Sequence, residues 1–176
     1  MPIFKTGEMF QAAGYLIVTT NSFLTSEVKL VMGRGAAWIL KMKVPGIDWI
    51  FGRIIYETCG HLGRYGLLFH HRYGALQVKY RFDEKARVDL IEFSLRKLGA
   101  LAKESPNSRF NINYPGIGNG GLRKPEVRPL LSILPDNVCV WEKEERSNLY
   151  VGYPNRAFLE PLAEKELNHD TTQASS

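Results

Sequence analysis

Residues 113–122 read Asn-Tyr-Pro-Gly-Ile-Gly-Asn-Gly-Gly-Leu, NYPGIGNGGL. A β-rich stretch, RFNINYP (109–115), runs into this segment, and Pro125 opens a helical stretch, PEVRPLLSIL (125–134), a few residues later. Gly116, Gly118, Gly120 and Gly121 leave main-chain N–H groups uncovered by side chains and free to adopt φ > 0. A strand, a glycine loop and a helix in that order suit a diphosphate held by main-chain donors, with a helix N-terminus behind it. The segment is not a P-loop, because no Lys-Ser or Lys-Thr follows it. Gly116, Gly118 and Gly121 spell G-x-G-x-x-G, but late in the chain and with no acidic residue at the usual distance for a dinucleotide fold. Taken alone, the segment is either a phosphate cradle or an ordinary surface turn.

A second glycine pair, Gly33 and Gly35 in MGRGAA (32–37), also stands just before a helical stretch, AAWILKMKV (36–44). Arg34 is its one charge. Two such turns suit a ligand with two phosphates better than either does alone. Upstream lies GYLIVTTN (14–21), compact, β-branched and apolar, as a strand buried on both faces is. Asn21 closes it, where the side chain can either cap its own loop or meet a ribose hydroxyl at the ligand-binding edge of a sheet.

Strands and helices alternate through the rest of the chain. PIFKT (2–6), YGLLFHH (65–71), ALQVKYRF (75–82) and NVCVWE (137–142) read as further strands. IDWIFGRIIYETCG (47–60) carries Ile47, Ile50, Phe51, Ile54 and Ile55 at helical spacing, and ARVDLIEFSLRKLGALAKES (86–105) repeats Val88, Ile91, Leu95, Leu98 and Leu101. About six strands and four helices make an α/β layered fold. Past Trp141 the sequence predicts an added strand at NLYVGYP, a short helix at RAFLEPLAEKEL and a disordered HDTTQASS. The expected division is a domain over 1–145 and an extension over 146–176.

Composition narrows the function classes. Cys59 and Cys139 are the only cysteines, far apart, which argues against a disulfide scaffold or a zinc site and fits a reducing cytoplasm. No apolar run is long enough to span a bilayer, and no membrane partner is expected. No metal or resident cofactor is expected. Twenty-three Lys and Arg against eighteen Asp and Glu suit an anionic ligand. They also suit nucleic acid, so a basic nucleic-acid-associated accessory protein stays open, although the basic residues are scattered rather than clustered. His70 and His71 are adjacent, so in a strand they face opposite sides. Lys79, mid-strand between apolar and aromatic residues, is either a nucleophile with a lowered pKa or an edge lysine that keeps the sheet soluble.

Together these residues resemble the macro domain family, over roughly residues 4–142. TGEMF (6–10) stands where the family has a Gly-Asp-Ile or Gly-Asp-Leu step, LIVTTNS is similar to its buried strand ending in Asn, MGRGAAWILKMKVPG to its first ligand loop and helix, and YPGIGNGGL to its phosphate-cradling loop. The resemblance implies a three-layer α/β/α sandwich around a six-stranded mixed sheet, with a cleft for ADP-ribose at the strand ends. It implies ligand contacts from Glu8, Met9, Asn21, Met32, Gly33, Arg34, Gly35, Gly116, Ile117, Gly118, Asn119, Gly120, Gly121 and Leu122, with Glu8 meeting the adenine amino group. The nearest branch contains terminal ADP-ribose protein glycohydrolases and DNA-directed ADP-ribosyl glycohydrolase antitoxins. It implies a reactive lysine at Lys79, in ALQVKY, and a target of ADP-ribosylated protein or nucleic acid. That branch often carries an aspartate after the Gly-Leu of the second loop, where this chain has Arg123. Binding of ADP-ribose with weak or absent hydrolysis is the resulting expectation.

Overall fold

The computed structural model describes residues 1–144; the strand, helix and tail predicted for 148–176 lie outside the described residues. The chain runs β1 (Ile3–Thr6), β2 (Tyr15–Thr20), α1 (Gly35–Lys43), α2 (Ile47–Thr58), β3 (Leu67–His70), β4 (Tyr73–Gln77), α3 (Val88–Glu104), β5 (Phe110–Asn113), α4 (Lys124–Leu131) and β6 (Val138–Glu142). The six strands form one sheet in the order β1-β6-β5-β2-β4-β3. Only the β3–β4 hairpin pairs antiparallel, so the sheet is mixed and five of its strands share one direction.

Successive residues of a strand point to opposite faces, and β2 sorts the two helical layers accordingly. Leu16 and Val18 pack with Leu40, Ile47, Phe51 and Ile55 of α1 and α2. Ile17 packs on the other face, with Ile91, Leu95 and Leu98 of α3 and Val127 and Leu131 of α4. Ile17 and Val18 have no solvent exposure. Burial of each is worth about 1.5–3 kcal/mol, which is why a continuous apolar run stays at the centre of the sheet. The architecture is the three-layer α/β/α sandwich expected from the sequence.

Three local readings need correction. Lys79 is not mid-strand: β4 ends at Gln77. Val78 still donates its N–H to Thr20 O, but its carbonyl accepts from Arg87 N, so the chain leaves the sheet after Val78 and returns at Arg87 as a closed loop. His70 and His71 do not face opposite sides. His71 turns the hairpin with φ 52, and the two rings meet edge to face at 4.2 Å. On α3 the buried stripe is Leu90, Ile91, Leu95, Leu98 and Ala102, while Val88 is 40% exposed in the first turn.

Candidate functional site

The parallel strands β2, β4 and β5 end on one edge of the sheet, and the segments after them meet there. β2 and β5 pair only as far as Ile17 and Ile112. Beyond that point the side chain of Asn113 replaces the ladder: its Oδ1 accepts Thr19 N–H at 2.9 Å and its Nδ2 donates to Thr19 Oγ1 at 2.8 Å. The two strands are held at side-chain distance, and the glycine turns follow from either side of this fork.

The second glycine segment forms a turn of 3-10 helix, Gly118–Gly120, ahead of α4. Three of its bonds are internal: Gly120 N to Ile117 O, Gly121 N to Gly118 O, and Leu122 N to Gly116 O. Among the described residues, no hydrogen bond engages the N–H groups of Ile117, Gly118 or Asn119. Gly118 has φ +65, and a Cβ placed on it would meet nothing within 4 Å. The turn therefore opens toward solvent at its backbone.

The first glycine segment lies against it. A Cβ on Gly35, which has φ +60, would come within 3.2 Å of Asn119 Nδ2. Gly35 begins α1, so the first N–H groups of that helix have no intrahelical partner and concentrate the positive end of its dipole here. Arg34 is exposed, whereas Met32 is buried in the same core cluster as Met9.

The third contributor is the loop from Lys79 to Arg87. Ala86 N donates to Gly120 O at 2.7 Å, which ties this loop to the second glycine turn. Glu84 Oε1 accepts from Tyr80 N at 2.8 Å and Arg81 N at 3.2 Å, closing the loop on itself. Half-buried Lys79 is held below the ordinary lysine range, first by burial. The Arg34 guanidinium pushes it further down, against the pull of Glu84 and Asp83. The charge on Arg34, from the first glycine segment, is thus felt at Lys79 in the third loop.

Other predicted positions are placed less centrally. Asn21 is buried and spends its amide on its own loop: Oδ1 accepts Phe23 N at 2.8 Å and Nδ2 donates to Val31 O at 2.9 Å. Of its two sequence readings, the capping role is the one the geometry fits. Glu8 is exposed at the end of β1, on the same edge but separated from β5 by β6. Gly116 and Leu122 are buried, Ile117 half-buried, and Gly121 exposed beside Lys85. Arg123 precedes α4 with its side chain 82% exposed and its Nε 3.6 Å from Glu126. Three contributors escaped the sequence reading: Asn113, Gln77 and Tyr65. A glutamine inside the apolar run ALQV was the one visible signal.

No family model matches this sequence, and no curated protein matches it. Solved structures do match. The macrodomain of Thermus aquaticus DarG superposes with a TM-score of 0.61 at 24% identity, over 82% of this chain and 98% of that one. The macrodomain of Mycobacterium tuberculosis DarG gives 0.61 at 19% identity, over 80% and 97%. Thermosipho africanus DarTG in complex with ADP-ribose gives 0.61 at 19% identity, over 91% of this chain but 45% of that longer one.

Proposed function

We propose that this protein, whose fold is that of the macrodomains, binds ADP-ribose or a close ADP-ribosyl nucleotide between its two glycine turns. The observation that carries the reading is the approach of Gly35 to Asn119, with unengaged N–H groups on the second turn and a helix N-terminus behind the first. A diphosphate is the ligand group that such an arrangement suits, because its oxygens accept several main-chain N–H bonds at once at a helix N-terminus. Gly33, Arg34, Gly35 and the open N–H groups of Ile117, Gly118 and Asn119 hold the diphosphate, Gly116, Gly120, Gly121 and Leu122 shape that turn, and Glu8 reaches the adenine. Asn21 and Met32 shape the cleft from beneath. The DarTG structure with ADP-ribose supports the choice of nucleotide. The ADP-ribose is free or is the terminal group of a modified protein or nucleic acid, met in a reducing, cytoplasmic setting. Among the described residues no helix is long and apolar enough to cross a membrane.

A second reading, removal of ADP-ribose by attack of Lys79 on the terminal ribose, is favoured by one observation: Lys79 is half-buried in the loop that Ala86 ties to the second glycine turn, and its amine is shifted toward its neutral form. Attack also needs a proton donor for the leaving group. At the position where the resembling enzymes hold a carboxylate, Arg123 points to solvent and pairs with Glu126. Binding is therefore the function assigned. The test is calorimetric titration with ADP-ribose, AMP and ribose 5-phosphate, alongside an assay for ADP-ribose released from modified protein and modified DNA. Saturable binding of ADP-ribose that the two fragments do not match supports the reading. Its absence from a folded sample contradicts it.

A further inference from the structure

Gln77 closes β4 with no solvent exposure. A strand covered by helices on both faces is normally apolar throughout, and its neighbours Ala75, Leu76 and Val78 follow that rule. An amide here is costly unless every polar position is satisfied. Every position is satisfied. Oε1 accepts Tyr65 N at 2.8 Å and Gly66 N at 3.1 Å, while Nε2 donates to Gly63 O at 2.9 Å and, more weakly, to Lys79 O at 3.4 Å.

All four partners are main-chain groups, and they belong to two separate segments, 63–66 and Lys79. The first segment carries the bonds onward. Buried Tyr65 donates its hydroxyl to Asn21 O at 2.8 Å and meets Thr20 Oγ1, fixing the end of β2. One amide thus connects the residue that leaves β4 to the residues that leave β2. Packing alone does not account for it, because an apolar side chain of similar volume fills the same space at lower desolvation cost.

We infer that Gln77 is a positioning residue: it fixes where the Lys79 main chain departs from the sheet, and so holds the amine half-buried in the loop that Ala86 ties to the second glycine turn. The inference rests on the reading of this cleft as the ligand site. Its test includes a readout that needs no ligand. Gln77→Met removes all four bonds with little change in volume. The pH midpoint of Lys79 is read from its rate of modification by an amine-selective reagent, followed by mass spectrometry, and ADP-ribose affinity is measured in parallel.

In folded Gln77→Met the midpoint is expected to rise toward that of a solvated lysine, and affinity to fall about tenfold, the scale of one displaced polar contact. A residue that only supports the fold lowers the melting temperature and leaves the Lys79 midpoint in place. A folded variant with an unchanged midpoint overturns the inference, whatever its affinity. Absence of ADP-ribose binding in the wild type removes the ligand reading, and the midpoint still decides the role of Gln77. If Gln77→Met does not fold, Gln77→Asn, which keeps an amide one methylene short of both segments, is read by the same midpoint.

Discussion

Lys79 is the residue whose behaviour ties the cleft to pH. Burial and Arg34 disfavour its ammonium form in the free protein. A bound diphosphate nearby favours that form, so binding raises the Lys79 pKa and takes up a proton. The sign follows: affinity for ADP-ribose is greatest below the free-protein midpoint and declines as pH rises through it, in a window below the ordinary lysine value. Lys79→Met flattens that dependence. Calorimetry across pH, in two buffers of different ionisation enthalpy, measures the proton uptake; affinity that stays constant up to the ordinary lysine range contradicts this placement of the ligand. The glycines divide in a similar way. A Cβ on Gly118 meets no protein atom within 4 Å but takes on a left-handed backbone, which costs roughly 1–2 kcal/mol, on the turn whose N–H groups are open. Gly118→Val and Gly35→Val are expected to lose binding with only that modest loss of stability. Gly116→Val is expected to cost more stability than either, because its φ is +76 and a Cβ there lies 2.7 Å from Ile91 Cδ1 and 2.9 Å from Leu122 Cδ1, which must both shift. Circular dichroism and titration of the three variants separate the two kinds of glycine; loss of fold in Gly118→Val places that turn in the core instead.

At the scale of elements, α4 offers the clearest test, because its N-cap is a residue of the wrong charge. Arg123 precedes the helix, where a carboxylate complements the dipole and a cation does not. Its backbone N–H is already held by Glu126 at 2.7 Å, so the helix start survives substitution. Arg123→Asp is expected to raise stability by about 0.5–1 kcal/mol, read as a higher melting temperature. The same variant places a carboxylate beside the second glycine turn. Release of ADP-ribose is expected to be weak or absent in the wild type and to increase in Arg123→Asp; robust wild-type turnover that disappears in Lys79→Ala moves the chain to the hydrolases. The elements themselves were legible where one force dominates. β2 declares itself because a strand buried on both faces has no polar position to lose, and α2 because Ile47, Phe51 and Ile55 recur with the helix. The end of β4 was not legible. Tyr80 and Phe82 continue an apolar pattern past Gln77, but they serve a loop pinned at Val78 and Ala86 by bonds to Thr20 and Gly120, distant in sequence. Gln77 and Asn113 were passed over for the same reason: their value lies in partners distant along the chain that only the folded sheet supplies.

At the scale of the molecule, the sandwich places three loops from three strands on one edge, which is where the proposed ligand is assigned. A ligand that binds only the folded state stabilises it by mass action, about 2.7 kcal/mol at 100 times its dissociation constant. For a domain of this size that corresponds to a rise of roughly 5–11 °C in melting temperature. The layering and the sheet were readable from alternation of strand and helix, whereas the site was readable only as two candidate turns. Their contact, Gly35 against Asn119 across more than eighty residues of chain, is a property of strand order, which no local pattern encodes. Titration calorimetry of ADP-ribose into wild type and Gly35→Val, with both proteins verified as folded, addresses that contact most directly. One-to-one saturable binding in the wild type and its loss in the variant is the result predicted here. No heat and no thermal stabilisation at millimolar ADP-ribose in the wild type, or equal affinity in the two proteins, would contradict the assignment of the cleft between the two glycine turns.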